Sequence, residues 1–343
     1  MPWTVDWRVT INGSDVSTNM RPYLTEISVS DKDGTSSDTA QLTFDDAGGQ
    51  CLLPKTGARV SVFLQGVLAF QGVVDSTPWT MTRGGGRMLQ VNAKGFDTRS
   101  KVKEGQQWHL DDGTLDDALN KAAKVAGLSG VSVDPELGAI KRDYWTPDGA
   151  SFMAFAEKLA RQHGATFKIR GDQAVFVKRG SGSNGAGAAM PTVQARIPGN
   201  VISCSVDPSK GRPRYSKARA RWFDRKSASF KTKEIEIETG DDEVDVSDEV
   251  RGTAADEEQA GGFVEGHKSD SEREGGDGTI EMDLTVDAQA EGTLVLSGAR
   301  PGVDGTYRIV SVTHKATRSS GATTTLEIKQ PQGDAGKDSR EAE

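Results

Sequence analysis

Residues 292–329 read GTLVLSGARPGVDGTYRIVSVTHKATRSSGATTTLEIK, and this stretch decides the fold class. Leu294 and Leu296 alternate with Thr293, Val295 and Ser297, and a turn rich in Gly and Pro (SGARPGVDG) follows. Residues 307–314 form a β-branched run, and after the polar loop KATRSSGA residues 323–328 alternate again. Alternation with period two between Gly, Pro and Ser clusters is typical of antiparallel strands. The stretch therefore predicts three neighbouring strands.

A similar pattern occurs once before in the chain. The strand pattern ARVSVFL (58–64) is followed by LAFQGVVDS, the polar loop MTRGGGR and the run MLQVNA. Thr82-Arg83 precedes the loop of this earlier copy, as Thr317-Arg318 precedes the loop of the later one. Self-similarity at a distance suggests two copies of one β module. The alternative is that any two β-meanders share these features.

Length and composition indicate a soluble protein that is rich in strands and turns. The chain has 343 residues, of which 35% are hydrophobic, 27% are charged and 40 are Gly. That length is sufficient for two or three domains. The net charge of -8 argues against a sequence-independent grip on DNA, which requires a basic surface that displaces counterions.

The two cysteines, Cys51 and Cys204, lie far apart in unlike contexts, so we expect no disulfide framework and a reducing compartment during folding. The N-terminal sequence MPWTVDWRVT lacks the features of a signal peptide. No run of residues approaches the roughly 20 apolar residues that span a bilayer. We therefore expect synthesis in the cytoplasm.

The middle of the chain has a different character. Residues 114–126 (TLDDALNKAAKVA) present an apolar helical face after a Thr114 N-cap, and Ser151 to His163 predict a second helix. The sequence ATFKIRGDQAVFVK predicts a hairpin that turns at residues 170–173. These elements predict a small α/β insert between two β regions.

The complete prediction is a mainly β protein of the α+β class, with two tube-like antiparallel β-barrel modules and a small helix-helix-hairpin domain. The segments are 1–104 (first module), 105–180 (insert), 181–240 with 278–331 (second module), 241–277 (acidic, partly helical excursion) and 332–343 (disordered tail). Gly261 and Gly262 weaken the helical pattern of the excursion.

No group of residues predicts catalysis, cofactor binding or metal binding. His109, Asp111 and Asp112 lie in a turn before a helix cap, and the acids between Asp241 and Asp248 lack calcium-loop spacing. Arg170-Gly171-Asp172 lies where the hairpin must turn, so it is interpreted as a turn and not as an adhesion motif. Cys51 has no flanking base, and His314 lies within a strand, which favours structural roles for both.

Several stretches together resemble the late control gene D family, the baseplate hub proteins of contractile-tailed phages. The family is related to the hub half of the valine-glycine-repeat spikes of type VI secretion. In chain order, the resembling stretches are LTFDD with VSVFLQGVLAFQGVV, then DDALNKAAKVAGL and SFMAFAEKLARQHGATFKIRGDQAVFV, then RARWFD, and last VDGTYRIVSVTHKATRSSGATTTLEI. The acidic excursion and the segment IKRDYWTPDGASF depart from the family's pattern.

The resemblance implies a structural role without catalysis. Hubs of this family form a homotrimeric ring in which each subunit holds two tube-like barrels, so that a pseudo-six-fold ring joins the hexameric tail tube to the trimeric spike. The implied partners are further copies of the chain, the tail spike, the tail tube or its initiator, the tape-measure C-terminus and baseplate wedge proteins. DNA passes only in transit through the channel. The implied location is the virion tail baseplate, assembled in the host cytoplasm.

The stretch from Tyr215 to Phe223 alternates small apolar and basic residues, and we interpret it as a candidate intersubunit strand. Its named members are Tyr215, Lys217, Arg219, Arg221 and Trp222. Two other functions stay open. A tail-associated cell-wall hydrolase would need an acid pair or a metal motif, and a DNA-reading regulator would need a basic helix or patch.

Overall fold

The computed structural model describes residues 3–33, 37–97, 101–179, 190–208, 215–224, 226–237, 246–254, 256–333 and 335–336. The fold is mainly β, as predicted: 50% of the described residues lie in strands and 17% in helices.

The N-terminal region contains helix α1 (Ser17–Met20) and strands β1 (Trp7–Ile11), β2 (Ser14–Asp15), β3 (Leu24–Lys32), β4 (Thr39–Asp45), β5 (Arg59–Leu64), β6 (Val67–Ser76), β7 (Trp79–Thr82) and β8 (Gly86–Lys94). A 3₁₀ turn (Lys101–Lys103) leads into the insert. The insert contains β9 (Leu110–Thr114), α2 (Leu115–Val125), β10 (Gly130–Val133), α3 (Pro135–Gly138), β11 (Lys141–Trp145), α4 (Phe152–Gln162), β12 (Ala165–Arg170) and β13 (Gln173–Lys178).

The C-terminal half contains β14 (Val193–Arg196), β15 (Val201–Asp207), β16 (Lys217–Asp224), β17 (Ser229–Glu236), β18 (Ser247–Ala254), α5 (Glu257–Arg273), β19 (Asp277–Asp283), β20 (Thr293–Ser297), β21 (Gly305–Thr317) and β22 (Gly321–Gln332).

One large sheet joins the two ends of the chain. As far as the structure describes the chain, this sheet has 14 strands, and its main path is β15-β19-β22-β21-β3-β4-β8-β6-β5-β1-β2. Strands β7, β14 and β20 pair beside this path. Strand β3 from the N-terminal region pairs with β21 from the C-terminal region, which makes the sheet continuous. Among the described strands the path is open at both ends, so closure of either module into a tube-like barrel stays a prediction.

The insert packs two helices against short strands. Thr114 caps α2 through a reciprocal capping box with Asp117, and Ser151 caps α4 by accepting a hydrogen bond from the Ala154 amide. The spacing of apolar residues in the sequence predicted both helices close to these positions. Strands β12 and β13 form the predicted hairpin, to which β10 adds in parallel, while β9 and β11 pair separately.

The sequence assigned two strands of the C-terminal half to the wrong sheet. Strands β16 and β17 were expected in the second β module, but they form a separate three-stranded sheet with β18, in the order β17-β16-β18. Helix α5 covers this sheet, and Ala220, Trp222 and Val264 lie in the shared core. The excursion therefore packs with β16 and β17 into one α/β unit where the structure describes it, and residues 241–245 lie outside the described residues.

The end of the chain also differs from the prediction of a disordered tail. Strand β22 continues to Gln332, and Ala335 is 6% exposed within the core of the second module. The Gly336 amide donates a hydrogen bond to the Gly302 carbonyl at 2.8 Å. Ala335 reaches this core because Gly305, at φ 151°, has no Cβ to block it. Residues 337–343 lie outside the described residues.

Candidate functional site

Two segments of the large sheet repeat one strand order. In the first module the order is β3-β4-β8-β6-β5-β1, and in the second module it is β15-β19-β22-β21-β20-β14. Strand β7 extends β6 along β8, so the two together correspond to the long strand β21. The outermost pairs differ, because β1 runs antiparallel to β5 whereas β14 runs parallel to β20.

The two modules also agree in register. Thr82 pairs with Gly86 in the hairpin of the first module, and Thr317 pairs with Gly321 in that of the second. Two β-bulges of the first module recur at corresponding places in the second module. They fall between Val74 and Ser76 and between Ile309 and Ser311, and again between Leu24 and Glu26 and between Val201 and Ser203. Unrelated meanders have no reason to share bulges, so the duplication suggested by the sequence is confirmed.

The modules meet where β21 pairs with β3. The register runs from Ser311↔Lys32 to Thr317↔Glu26. The facing residues Ala316 and Ile27 are both 0% exposed. His314 is also buried there: its Nδ1 lies 3.0 Å from the Thr324 hydroxyl, and burial lowers its pKa to about 4. His314 therefore has the structural position that its place in the sequence indicated.

One face of the large sheet is polar across both modules. Alternation along each strand directs the apolar residues to the cores and the polar residues to this face. We call the following residues the polar face: Ser203, Ser205, Thr279, Glu281, Thr325, Glu327, Thr313, Lys315, Ser28, Ser30, Gln41, Thr43, Gln90 and Asn92. Their side chains bond to one another, as in Gln41–Asn92 and Ser30–Thr313, both at 3.2 Å. A groove of about 410 Å³ runs along its first-module part.

A buried lysine holds the insert to the first module. The Lys168 ammonium group on β12 donates to the carboxylates of Asp31 and Asp38, the latter at 2.9 Å. Burial and the charge of Asp31 raise the pKa of Asp38 to about 6. The pKa of Asp31 is lowered: burial opposes this, but the charge and hydrogen bonds of Lys168 outweigh it. Arg170, also on β12, lies 3.3 Å from Asp38, so four charged groups fix how the insert lies on the first module.

A second ionic cluster ties α5 to the junction. Arg273 on α5 donates two hydrogen bonds to Glu291, at 2.6 and 2.8 Å, and Thr166 of the insert donates a third at 3.0 Å. Arg308 on β21 pairs with Asp33 and lies 3.7 Å from Glu291. Burial opposes ionisation of Glu291, but the two arginines hold its pKa below the usual range. One carboxylate thereby connects the insert, the excursion and the second module.

The candidate intersubunit strand lies inside the excursion's sheet. Strand β16 is its central strand, with β17 on one edge and β18 on the other, so its backbone cannot also pair with a neighbouring subunit. Lys217 and Arg219 pair with Glu234 of the same chain, while Trp222 is 7% exposed under α5. Tyr215 precedes the strand, and the guanidinium of Arg221 lies 5.9 Å from the Phe230 ring centre. The alternating pattern of residues 215–223 therefore belongs to a central strand, with an apolar face under α5 and a charged face opposite.

The residues considered for chemistry do not come together as one site within the described residues. His109 and Asp111 are exposed and 4.0 Å apart. Burial and a hydrogen bond with Asp46 raise the pKa of the Cys51 thiol to about 11, which disfavours the reactive thiolate. No group of three possible metal ligands occurs within the described ranges. None of the helices in those ranges is long and apolar enough to cross a membrane.

Comparison with curated proteins gives a direct sequence relationship. No family model matches the chain. The chain is 26% identical over 194 residues to the probable baseplate hub protein of Escherichia phage P2, a match that covers 55% of this chain and 49% of the relative. The chain is a homologue of phage baseplate hub proteins. The corresponding protein of Escherichia phage 186 is 26% identical over 191 residues, covering 53% of this chain and 47% of the relative. The chain thus spans about half the length of these curated relatives.

Solved structures show the same fold over almost the whole chain. The tail protein from Neisseria meningitidis MC58 matches with a TM-score of 0.70 at 15% identity, over 97% of this chain and 98% of the other. The 43 kDa tail protein of prophage MuSo2 from Shewanella oneidensis matches with 0.69 at 14% identity, over 96% and 99%. The E. coli c3393 protein, a component of the type VI secretion system, matches with 0.57 at 12% identity, over 97% and 79%. The resemblance to hub proteins is therefore confirmed, and these likenesses extend the shared fold to tail and secretion proteins.

Proposed function

We propose that this protein is the structural baseplate hub of a contractile phage tail or of a related injection machine. Three copies would form a pseudo-six-fold ring that joins the hexameric tail tube to the trimeric central spike. The duplicated module, which agrees in strand order, register and bulge position, carries this proposal. Two equivalent modules in each subunit are what a three-fold ring needs to match a six-fold tube.

The polar face gives the ring a lining of suitable chemistry. Most of its residues are small hydroxyl or amide side chains, and its charges are of both signs. A lining without a basic stripe does not hold the phosphate backbone, so DNA passes without binding. In this proposal, the polar face surrounds the channel for DNA and for the tape-measure C-terminus, and the apolar cores and insert lie outside.

The partners follow from the position of a hub. They are the spike on one side, the tail tube or its initiator on the other, and baseplate wedge proteins around the ring. Among similar structures are those of a Francisella PdpA–VgrG complex, one of which matches with a TM-score of 0.54 at 10% identity. We propose a location in the virion tail baseplate after assembly in the host cytoplasm, and a role without catalysis.

The test is the native mass of the protein co-expressed with the product of its neighbouring spike gene, followed by negative-stain imaging. We expect a complex with three copies of the chain and a three-fold ring with a central pore. A chain that stays monomeric and never engages the spike would refute the hub role. The spike expressed alone is the control for pores that do not require the hub.

A further inference from the structure

The large sheet has two strands whose outer edges are unoccupied in the described ladders. Strand β7 pairs with β8, and β15 pairs with β19 at the end of the main path. Every residue of β7 is exposed, and Ile202 to Ser205 of β15 are exposed too. Sheet edges of this kind are templates for pairing with another chain.

The pairing of β21 with β3 inside the chain shows which strand each of these edges would pair with. Because the modules agree in register, β7 corresponds to the part of β21 that pairs with β3, and β15 corresponds to β3 itself. Met81 corresponds to Ala316 and Trp79 to His314, since each pair has the same position in its hairpin. Cys204 corresponds to Ile27 and Val206 to Val29, since each lies at the same distance from its bulge. Thus β7 and β15 are the two halves of a second junction, separated within one chain.

Burial at the corresponding positions supports this interpretation. Ala316 and Ile27 are fully buried in the junction, as are His314 and Val29 to within a few per cent. Their counterparts on β7 remain open: Trp79 is 50% and Met81 is 61% exposed. Cys204 is exposed as well. These side chains are therefore exposed at positions where the corresponding side chains of the internal junction are buried.

The hydrogen-bonding pattern fits the same junction. The Arg318 amide donates to the Thr25 carbonyl, and the Asp33 amide donates to the Val310 carbonyl. Hydrogen-bonded and non-hydrogen-bonded pairs alternate in an antiparallel ladder, so Thr313 occupies a non-hydrogen-bonded pair. Pro78 corresponds to Thr313. Proline has no amide hydrogen, and a residue in a non-hydrogen-bonded pair donates none to the partner strand.

We infer that β15 of one copy pairs antiparallel with β7 of a second copy, in a register that places Cys204 opposite Met81, Ser203 opposite Thr82, Ser205 opposite Thr80 and Val206 opposite Trp79. This inference rests on the proposed hub function and supplies its subunit contact. The contact is head-to-tail, because each copy offers β7 on one side and β15 on the other. Such contacts close into a ring when the rotation permits. The junction seen once inside the chain then recurs between chains.

The register is tested with one added cysteine. Directly opposed residues in an antiparallel pair have Cα atoms about 4.5–5.5 Å apart, within the range that a disulfide bridges. Met81→Cys therefore joins the native Cys204 of the next copy. The variant is assembled with the spike, oxidised with copper phenanthroline near pH 9, and run on a non-reducing gel. Alkaline pH is used because partial desolvation of the thiol and the nearby charge of Asp304 raise the pKa of Cys204.

Two matched variants separate this register from others. Thr80→Cys moves the thiol to the neighbouring residue, whose side chain points to the opposite face, and retains Cys204. Met81→Cys with Cys204→Ser retains Cys51 and the new thiol but removes the partner. We expect covalent oligomers from Met81→Cys at about tenfold the level in either control, given the strict geometry of disulfides.

The outcomes distinguish the register from the function. Rings that form with Met81→Cys but cross-link no better than those with Thr80→Cys would refute the register and leave the hub function intact. Cross-linking that survives Cys204→Ser would also refute it. Absence of rings in the wild-type protein with its spike would instead refute the proposed function.

Discussion

Lys168 shows how one residue fixes the position of a whole domain. Only 11% of its side chain is exposed, and the carboxylates that neutralise it come from the first module. A buried ammonium group without these partners is unfavourable, so docking of the insert and pairing of the charges occur together. The sequence shows a lysine within a hairpin strand and gives no sign of its partners, which lie 130 and 137 residues away.

Removal of the Lys168 charge should destabilise the protein and shift the pKa of Asp38. The pKa of Asp38 is raised from 3.8 to about 6, so the folded state binds this proton more tightly than the unfolded state. The contribution of Asp38 to stability is therefore greatest below about pH 4 and declines as the pH rises through 6. Lys168→Met leaves two buried carboxyl groups, and we expect a loss of about 3–5 kcal/mol at pH 7.

NMR titration of the Asp38 carboxyl carbon, with urea unfolding, checks this prediction. The midpoint should lie near 6 in the wild type and higher in Lys168→Met. Lys178→Met is the matched control, because Lys178 lies on the next strand of the same hairpin and makes an exposed bridge to Glu136. That change should cost less than about 0.5 kcal/mol. A wild-type midpoint near 4 would show that Asp38 is not buried beside the charge of Asp31.

At the scale of elements, α5 shows why the sequence predicted the excursion as only partly helical. Glycines within a helical pattern argue against a helix, yet α5 spans Glu257–Arg273. Gly266 lies where α5 approaches the end of α4 closely. A Cβ at this position would lie 3.7–3.9 Å from backbone atoms of Arg161, Gln162 and Gly164. Packing against α4 and the β16 sheet supplies the stability that local propensity lacks.

The two glycines Gly261 and Gly266 should respond differently to substitution. A Cβ at Gly261 meets nothing within 4 Å, so Gly261→Ala should raise the free energy of unfolding by about 0.5–1 kcal/mol. Gly266→Leu should lower it by about 1–3 kcal/mol, because the added atoms would force α5 away from α4. Gly261→Leu is the control of equal size. Equal responses to Leu at the two sites in thermal unfolding would show that the helices do not approach closely.

At the scale of the molecule, the second module needs the end of the chain. Comparison of a chain ending at Gln332 with one ending at Gly336 isolates the contact of Ala335 with its core and the hydrogen bond to Gly302. We expect the shorter chain to be less stable by about 1–2 kcal/mol, from the lost burial and hydrogen bond. Equal urea midpoints for the two chains would show that these residues add no stability, as expected of the disordered tail that the sequence predicted.

The sequence alone determined the strand-rich class, the two insert helices and the duplicated hairpin. These features arise from period, turn residues and caps, all of which act within a few residues. The tertiary structure alone decided which strands share an edge. It joined β3 to β21, where Ser30 and Thr313 lie 283 residues apart, and it removed β16 from the second module. A strand's pattern shows which face is buried, but its hydrogen-bonding edges look alike from residue to residue, so the partner is chosen by the packing of the whole chain.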